Sequence, residues 1–309
     1  MEYRNSNLCK NVNILGFGGW QVGNQHLHQG GTIEEGIELI QEAYNNGINF
    51  FDTAPNYGLG NSELIIGEAL KGVRKNIYIN SKVGHHSDGI RDFNPERIKE
   101  SILGSLARLQ TDYLDSVILH NPEMYILKGE SSHYDVLEQL KQEGLIRAYG
   151  VSIDSLEEFE IALNNPGIEV IELLFNIIHQ EPKKLFEKAQ KQGVTLIIKI
   201  PFDSGWLTGK YTENSTFTDI RSRWDQETKN TRHQIVEEIR NVTTEANMVK
   251  IALSFIKSFK EVTVIIPGIK NLPQLYSNLE CIEYDLPENE KVDLEKLYES
   301  KIKHLPTPW

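Results

Sequence analysis

The sequence Phe50-Phe51-Asp52-Thr53-Ala54-Pro55-Asn56-Tyr57-Gly58 ends an apolar segment with an aspartate and follows it with a tyrosine. The apolar residues before Asp52 predict a buried strand, and the proline and glycine beyond it predict a loop. An aspartate at a strand end and a tyrosine just beyond it are a candidate acid/base pair. Both residue types also occur in ordinary loops, so the pair indicates chemistry only if other strands end in polar residues as well.

Outside this stretch, short apolar segments alternate with amphipathic ones along the whole chain. The predicted strands are residues 14–18, 48–52, 77–82, 116–120, 146–152, 170–175, 194–200 and 262–267. They are continuous apolar runs, which is typical of parallel strands covered on both faces. Eight strand-helix units without a linker-like segment predict one α/β domain over residues 1–309, a (β/α)₈ TIM barrel. A polar loop insertion at 203–229 follows the seventh strand, and a Pro-rich tail occupies 300–309.

The alternative fold is an open, doubly wound sheet, which also alternates strands with helices. Its phosphate-binding sequence GxGxxG is incomplete here, because Gly16-Phe17-Gly18-Gly19-Trp20-Gln21 ends in glutamine. Helix starts are predicted at Thr32, where a glutamate three residues later completes a capping box, at Asn61/Ser62, and at Asn94, which precedes a proline. It is the missing phosphate-binding sequence that favours the barrel over the open sheet.

The composition is that of an ordinary globular chain with an acidic surface. Of its 309 residues, 39% are hydrophobic and 25% are charged, and the net charge is −12. An acidic chain is poorly suited to bind the phosphate backbone of nucleic acids. The two cysteines, Cys9 and Cys281, predict neither a disulfide framework nor a metal site. Neither a signal sequence nor an apolar run long enough to span a bilayer is visible, so we expect a cytoplasmic protein without membrane contact.

Three further predicted strands end in polar residues, namely Lys82, His120 and Ser152. In a barrel these ends meet at the face where barrel enzymes have their active sites. Asp52 would hold the Lys82 ammonium, and this ammonium would lower the pKa of Tyr57 from its ordinary value of about 10. His120 would bind a substrate oxygen beside Tyr57, so the group predicts a general acid directed at a carbonyl. Because no tyrosine supplies a hydride, a reduction at this site requires a nicotinamide cofactor.

These residues lie in motifs that resemble the aldo-keto reductase family along essentially the whole chain. The matching motifs are FDTAPNYG (51–58), SKVG (81–84), LHNP (119–122), GVS (150–152), LTGK (207–210) and IPG (266–268). The sequence is most similar to the bacterial branch that resembles potassium-channel β subunits. The resemblance implies a catalytic tetrad of Asp52, Tyr57, Lys82 and His120. It also implies an NADPH-dependent reduction of an aldehyde or ketone, in which hydride leaves the nicotinamide C4 and Tyr57 protonates the oxygen.

The resemblance further implies which residues hold the cofactor. Ser152 and Glu172 would face the nicotinamide carboxamide, where Ile153 and Glu172 replace the family's asparagine and glutamine. A glycine-containing turn ending in Lys210 would hold the diphosphate. Lys270 would face the 2′-phosphate, which favours NADP(H) over NAD(H). The implied set is Gly19, Trp20, Asp52, Ser152, Glu172, Ile200, Pro201, Phe202, Gly205, Leu207, Gly209, Lys210, Gly268, Lys270, Gln274 and Asn278.

Three residues that follow strands, Trp20, His85 and His86, would line the substrate pocket. His26 and His28 form a second pair of nearby histidines, but neither pair has a third ligand at metal-binding spacing, so no metal site is predicted. The expected partner is a small carbonyl or sugar substrate.

Two other functions stay open at the level of sequence. The same tetrad run in reverse would make the protein an NAD(P)-dependent dehydrogenase that oxidises a sugar or polyol. Alternatively, the chain would be an NADPH-binding regulatory subunit with vestigial catalysis, like the channel β subunits that it resembles. A hydrolytic metal barrel is a more remote alternative, which metal analysis of the purified protein would test.

Overall fold

A closed sheet of eight parallel strands forms the centre of the molecule, and a two-stranded hairpin, β1 (Tyr3–Arg4) and β2 (Val12–Asn13), precedes it. The computed structural model describes residues 2–24 and 31–308. The parallel strands are β3 (Phe17–Gly18), β4 (Phe50–Asp52), β5 (Tyr78–Val83), β6 (Leu114–His120), β7 (Ile146–Ile153), β8 (Val170–Leu174), β9 (Thr195–Lys199) and β10 (Val264–Ile266). They pair in chain order, and the N–H of Gly16 closes the ring by donating to the Ile265 carbonyl at 2.8 Å. The predicted single-domain (β/α)₈ TIM barrel is therefore confirmed.

The N-terminal hairpin, which the sequence pattern did not predict, covers one end of the barrel. Cys9 and Val12 are buried in one apolar cluster with Phe50, Val170 and Val264, which are the first residues of β4, β8 and β10. The hairpin thus closes the N-terminal ends of the strands and leaves the opposite end for a site. Strands of two residues are too short to show an alternating pattern, which is why the sequence did not reveal them.

Helices surround the sheet between successive strands. In chain order they are α1 (Trp20–Gly23), α2 (Ile33–Asn45), α3 (Asn61–Ala69), α4 (Pro95–Leu109), α5 (Met124–Leu127), α6 (His133–Gln142), α7 (Leu156–Leu163), α8 (Phe186–Lys191), α9 (Gln226–Val242), α10 (Met248–Lys257), α11 (Leu272–Cys281) and α12 (Glu288–Ser300). Short 3₁₀ turns lie at Arg74–Asn76, Glu181–Leu185, Asp203–Thr208, Ile220–Arg223 and Ile302–His304. Within the described ranges, no helix is long and apolar enough to cross a membrane.

All three predicted helix starts are correct, but only two of the three have the predicted side-chain cap. Thr32 forms the expected capping box at the start of α2, and Asn94 caps α4 by accepting from the backbone of its first turn. The prediction of a side-chain cap at Asn61/Ser62 is wrong, because Gly60 precedes α3 without a side-chain cap. The Ser62 hydroxyl instead donates to the Gly19 carbonyl at 2.9 Å, which ties α3 to the segment before α1.

The insertion at 203–229 is folded, although its polar composition predicted a loop. It contains two of the 3₁₀ turns, and α9 begins within it. The rings of Trp206, Tyr211, Phe217 and Trp224 contact one another at centroid distances between 4.9 and 6.3 Å. These four aromatic residues form a small apolar core of their own. Their irregular spacing has no helical or strand period, so pattern reading did not detect it.

Candidate active site

Three strand ends bring the predicted catalytic side chains to the C-terminal end of the barrel. Asp52 is the last residue of β4, Lys82 lies one residue before the end of β5, and His120 ends β6. Parallel neighbours end at the same edge, so these side chains converge. Lys82 Nζ lies 2.5 Å from Asp52 Oδ1 and donates to the Thr53 carbonyl at 3.1 Å. Asn80, which pairs with Asp52 across the sheet, donates to the same carboxylate oxygen at 2.7 Å.

Tyr57 comes from the loop after β4 and lies close to the same ammonium. Lys82 Nζ is 5.3 Å from the centre of the Tyr57 ring, and the His120 ring meets that ring edge-on at 6.1 Å. Burial raises the pKa of Tyr57 above its ordinary value, and the charges of Asp52 and Glu172 add to the rise, whereas Lys82 lowers it. The expected net lowering of this pKa is therefore wrong, because burial outweighs the effect of one ammonium. Tyr57 is a neutral phenol at pH 7.

Two glycines in close contact fix the loop that carries Tyr57. Gly58 has a φ of +62°, and a Cβ atom at this position would lie 1.8 Å from the carbonyl oxygen of Gly23. A Cβ on Gly23 would in turn lie 2.6 Å from the Tyr57 carbonyl oxygen. Only residues without a Cβ atom allow this approach. Because Gly23 ends α1, which begins at Trp20, this short helix supports the tyrosine loop.

The carboxylate of Glu172, on β8, completes the buried charge cluster. Its Oε2 lies 3.0 Å from Lys82 Nζ, and its Oε1 accepts from the Ser152 hydroxyl at 2.9 Å. Burial and the charge of Glu172 raise the pKa of Asp52 to about 8. Burial opposes ionisation of Glu172 as well, but the charges of Lys82 and Lys199 outweigh it and lower the pKa of Glu172 to about 2. The two carboxyl groups titrate as a pair that retains one proton near neutral pH.

Two histidines lie side by side next to the tyrosine. The ring centroids of His120 and His85 are 4.8 Å apart. Burial, with the nearby ammonium second, holds the pKa of His120 well below its ordinary value, and burial also lowers the pKa of His85. Both imidazoles are therefore neutral at pH 7. His86, which the sequence also assigned to the pocket, lies with its Nε2 2.7 Å from the Asp92 carbonyl oxygen and orders its own loop.

Lys199, the last residue of β9, is a site residue to which the sequence assigned no role. Its Nζ donates to the Ser152 hydroxyl at 2.8 Å and pairs with Asp154 Oδ1 at 2.8 Å. Ser152 is thereby joined to Glu172 on one side and to Lys199 on the other. Lys199, like Lys82, lies at the end of an apolar strand, so the same sequence pattern predicts a site residue here. A carboxamide has an NH₂ group that donates and a carbonyl oxygen that accepts. The Glu172 carboxylate can accept from the first, and the Lys199 ammonium can donate to the second.

The turn after β9 has a left-handed backbone at several positions. Those with positive φ, between +44° and +100°, are Ile200, Asp203, Ser204, Gly205 and Gly209. Such turns direct successive N–H groups into a concave surface that holds anions. Asn176 supports the turn by donating to the Ile200 carbonyl at 3.0 Å. Pro201 and Leu207 are buried and Phe202 is half-buried, so the main chain is the part of this turn that can face a ligand.

The segment after β10 presents a second lysine next to a helix N-terminus. Asn271 caps α11 by accepting from the Gln274 N–H at 3.0 Å, and the Gln274 side chain accepts from the Lys270 N–H at 3.0 Å. Asn278, one turn further along α11, is buried. In residues 2–24 and 31–308, no carboxylate pairs with the ammonium of Lys210 or of Lys270, and both are exposed. Two uncompensated cations beside a left-handed turn and a helix N-terminus fit the phosphates of a dinucleotide.

The sequence contains two pairs of nearby histidines, His26 with His28 and His85 with His86, for which no metal site was predicted. His26 and His28 lie outside the described residues. Elsewhere in the part of the chain that the structure describes, no group of three or more His, Cys, Asp or Glu side chains could hold a metal ion.

The site combines a buried tyrosine acid at the end of a closed barrel with a neighbouring surface that fits a dinucleotide. This combination defines an oxidoreductase that uses NAD(P)H. Residues 14–299 match the model of the Aldo/keto reductase family. The chain belongs to this family, and the resemblance inferred from its motifs is confirmed.

Several known proteins are similar to the chain. Aldo-keto reductase YhdN of Bacillus subtilis (strain 168) is 34% identical over 67% of this chain, which spans 64% of that relative. NADH-specific methylglyoxal reductase of Escherichia coli (strain K12) is 30% identical over 65% of this chain and 67% of its own length. A probable voltage-gated potassium channel subunit beta of Arabidopsis thaliana is 25% identical over 92% of each chain. The holo structure of aldo-keto reductase AKR11C1 from Bacillus halodurans superposes with a TM-score of 0.81 at 27% identity, covering 100% of both chains.

Proposed function

We propose that this chain uses NADPH to reduce an aldehyde or ketone to an alcohol, with Tyr57 as the general acid. The observation that supports this most directly is the position of the Tyr57 ring, 5.3 Å from Lys82 Nζ and edge-on to His120. A neutral phenol beside an ammonium gives up its proton when negative charge develops on a neighbouring oxygen. Addition of a hydride to a carbonyl carbon creates that charge.

The role of each residue in the tetrad follows from its protonation state. Tyr57 keeps its proton in the resting state because burial raises its pKa. Lys82, held by Asp52, stabilises the phenolate that proton transfer leaves behind. Neutral His120 donates a hydrogen bond to the carbonyl oxygen and does not compete with Tyr57 as an acid.

The nicotinamide cofactor, when bound, supplies the hydride from its C4. Ser152, Glu172 and Lys199 would hold the carboxamide, with Glu172 accepting and Lys199 donating. The turn after β9 and Lys210 would hold the diphosphate. The N-terminus of α11 and Lys270 would hold the 2′-phosphate.

We infer a preference for NADPH over NADH. A 2′-phosphate and a lysine that lacks a carboxylate partner form a hydrogen bond between opposite charges, whereas the 2′-hydroxyl of NADH carries no charge. In the part of the chain that the structure describes, Lys270 is exposed and has no carboxylate partner. The relative from Escherichia coli that is named NADH-specific represents the opposite preference, which cofactor titration distinguishes.

The tetrad could also run in reverse and oxidise a sugar or polyol. Oxidation requires Tyr57 as a phenolate that accepts a proton. The raised pKa of Tyr57 makes this form scarce near neutral pH, which favours reduction. The third hypothesis is a regulatory subunit with vestigial catalysis. The complete tetrad favours an enzyme over such a subunit.

The test is the absorbance of NADPH after addition of a panel of aldehydes and ketones, with sugars and polyols plus NADP⁺ in parallel. Rapid multiple turnover with carbonyl compounds supports the proposal. A single slow turnover would instead assign the chain to the regulatory class. Faster oxidation of an alcohol at pH 7 would assign a dehydrogenase.

A further inference from the structure

A fully buried ion pair outside the catalytic cluster joins Asp203 to Arg232. Arg232 Nε donates to Asp203 Oδ2 at 2.8 Å, and both side chains are 0% exposed. Asp203 begins the 3₁₀ turn after β9, and Arg232 lies on α9 beyond the insertion. Charged groups are rarely buried without a partner, because they lose their hydration. The pair therefore fixes the turn after β9 against α9.

The same guanidinium also contacts the C-terminal segment, which we define as residues 304–308. Arg232 Nη2 donates to the Pro308 carbonyl at 2.7 Å. The ring of Trp224, in the insertion, lies 4.8 Å from the guanidinium carbon. One side chain thus contacts the C-terminal segment, the insertion and the turn after β9.

The backbone around Asp203 depends on outside support. Asp203 has a φ of +44° and donates its N–H to the carbonyl of Ile200 at 3.2 Å. Ile200 is β-branched and has a φ of +57°, a conformation that such residues rarely adopt. His179, in the loop after β8, places its Nε2 3.5 Å from Asp203 Oδ1. Asp203 is therefore held from two sides at the start of the turn.

We propose that Asp203 and Arg232 are positioning residues that couple docking of the C-terminal segment to cofactor binding at the turn after β9. Neither side chain reaches the ligand, because both are fully buried, so they act through the backbone of residues 204–209. The inference rests on the proposed function, in which this turn holds the diphosphate. Coupling between two sites is reciprocal. A docked segment therefore strengthens cofactor binding, and bound cofactor strengthens docking by the same factor.

A purely structural role for the ion pair predicts a different outcome. In that case, loss of the pair lowers the stability of the fold but leaves the affinity for NADPH unchanged. A positioning role predicts weaker NADPH binding, a higher KM for NADPH and a kcat that changes little. The exposed pair Lys301–Glu238, at 2.9 Å, provides a matched control, because it links α9 to the residue that follows α12 without touching Arg232.

The first experiment measures the Kd of NADPH by fluorescence titration of the full chain and its variants. We expect Arg232→Met to raise the Kd about tenfold, with partial recovery in Arg232→Lys, and Lys301→Met to bind as the wild type does. A chain ending at Leu305 keeps the ion pair but lacks Pro308, and its Kd is expected to rise several-fold. If Arg232→Met does not fold, the Kd values of this shortened chain and of Asp203→Asn test the proposal instead. Wild-type affinity in folded variants would overturn the proposal.

The second experiment measures the reciprocal effect by hydrogen exchange. NADPH is expected to slow amide exchange in a C-terminal peptide of the wild type and to leave it unchanged in Asp203→Asn. Equal exchange in the wild type with and without bound NADPH would refute the coupling while leaving the proposed reductase intact. A wild type that binds neither NADPH nor NADH would refute the proposed function itself, and the coupling with it.

Discussion

Glu172 and Lys82 form a buried ion pair at 3.0 Å, and the same ammonium lies 2.5 Å from Asp52. All three side chains are at most 3% exposed, so solvent does not screen their charges. With one ammonium between two ionised carboxylates, the cluster would carry one net negative charge. The uptake of a proton by the carboxylate pair relieves this excess, and the predictions for Glu172 follow from it.

Glu172→Gln should change how stability depends on pH. In the wild type the pKa of Asp52 is raised to about 8, whereas the unfolded carboxyl group ionises near its ordinary value of about 4. The stabilisation from a raised pKa is complete below the unfolded value and is lost as the pH rises to the folded value. Urea unfolding at pH 5 and pH 8.5 should therefore show a loss in the wild type that Glu172→Gln reduces. Glu169→Gln, which alters the half-buried pair with Lys141 far from this cluster, should retain the wild-type loss.

Glu172→Gln should also change the pH dependence of alcohol oxidation. The charge of Glu172 contributes to the raised pKa of Tyr57. Its removal makes the phenolate easier to form, so the pH profile of kcat/KM for alcohol oxidation should move to lower pH. A profile that stays in place would show that Glu172 does not act on Tyr57.

Tyr57→Phe should abolish most of the turnover while NADPH still binds. Loss of a positioned general acid typically costs about 10²–10⁴ in rate. The measurement is the rate of NADPH oxidation together with the Kd of NADPH. Tyr134→Phe is the matched control, because Tyr134 is a second tyrosine with a raised pKa whose hydroxyl donates to Leu127 away from the tetrad. Equal turnover in Tyr57→Phe would eliminate the tyrosine as the acid.

Lys270→Ala should weaken NADPH binding more than NADH binding. A hydrogen bond to a charged group contributes about 1.5–3 kcal/mol, or roughly 10- to 100-fold in affinity. Isothermal titration with both cofactors measures the ratio of their Kd values. Lys303→Ala removes a lysine paired with Glu299 and should leave this ratio unchanged. An unchanged ratio in Lys270→Ala would mean that another residue binds the 2′-phosphate.

Gly58→Ala should damage both stability and catalysis. Its Cβ would lie 1.8 Å from the Gly23 carbonyl oxygen, so either the tyrosine loop or α1 must move. Gly72→Ala is the matched control, because Gly72 also has a positive φ, +88°, but no atom lies within 4 Å of the added Cβ. We expect the control to lose about 1 kcal/mol of unfolding free energy, and Gly58→Ala to lose more and to turn over slowly. Similar losses in the two variants would contradict the close contact.

Much of the candidate site could be predicted because its signals are local. Asp52, Lys82 and His120 each end an apolar segment, and the ends of parallel strands meet wherever a barrel forms. Glu172 and Lys199 were harder to interpret, because their roles depend on which neighbours they face. The same holds for Arg232, whose burial results from the folding of an insertion that looks polar in sequence.

The sequence by itself determined the barrel, its single domain, its family and the identity of the four side chains that meet at one end. These follow from the period of apolar residues and from the order of motifs, which are properties of the chain. Only the tertiary structure decided the balance of charge around Tyr57. Burial and the 3.0 Å distance between Glu172 and Lys82 set that balance, and electrostatic energies depend on distance and solvent exclusion rather than on sequence separation. For this reason the pKa of Tyr57 rises where the motif alone predicted that it would fall.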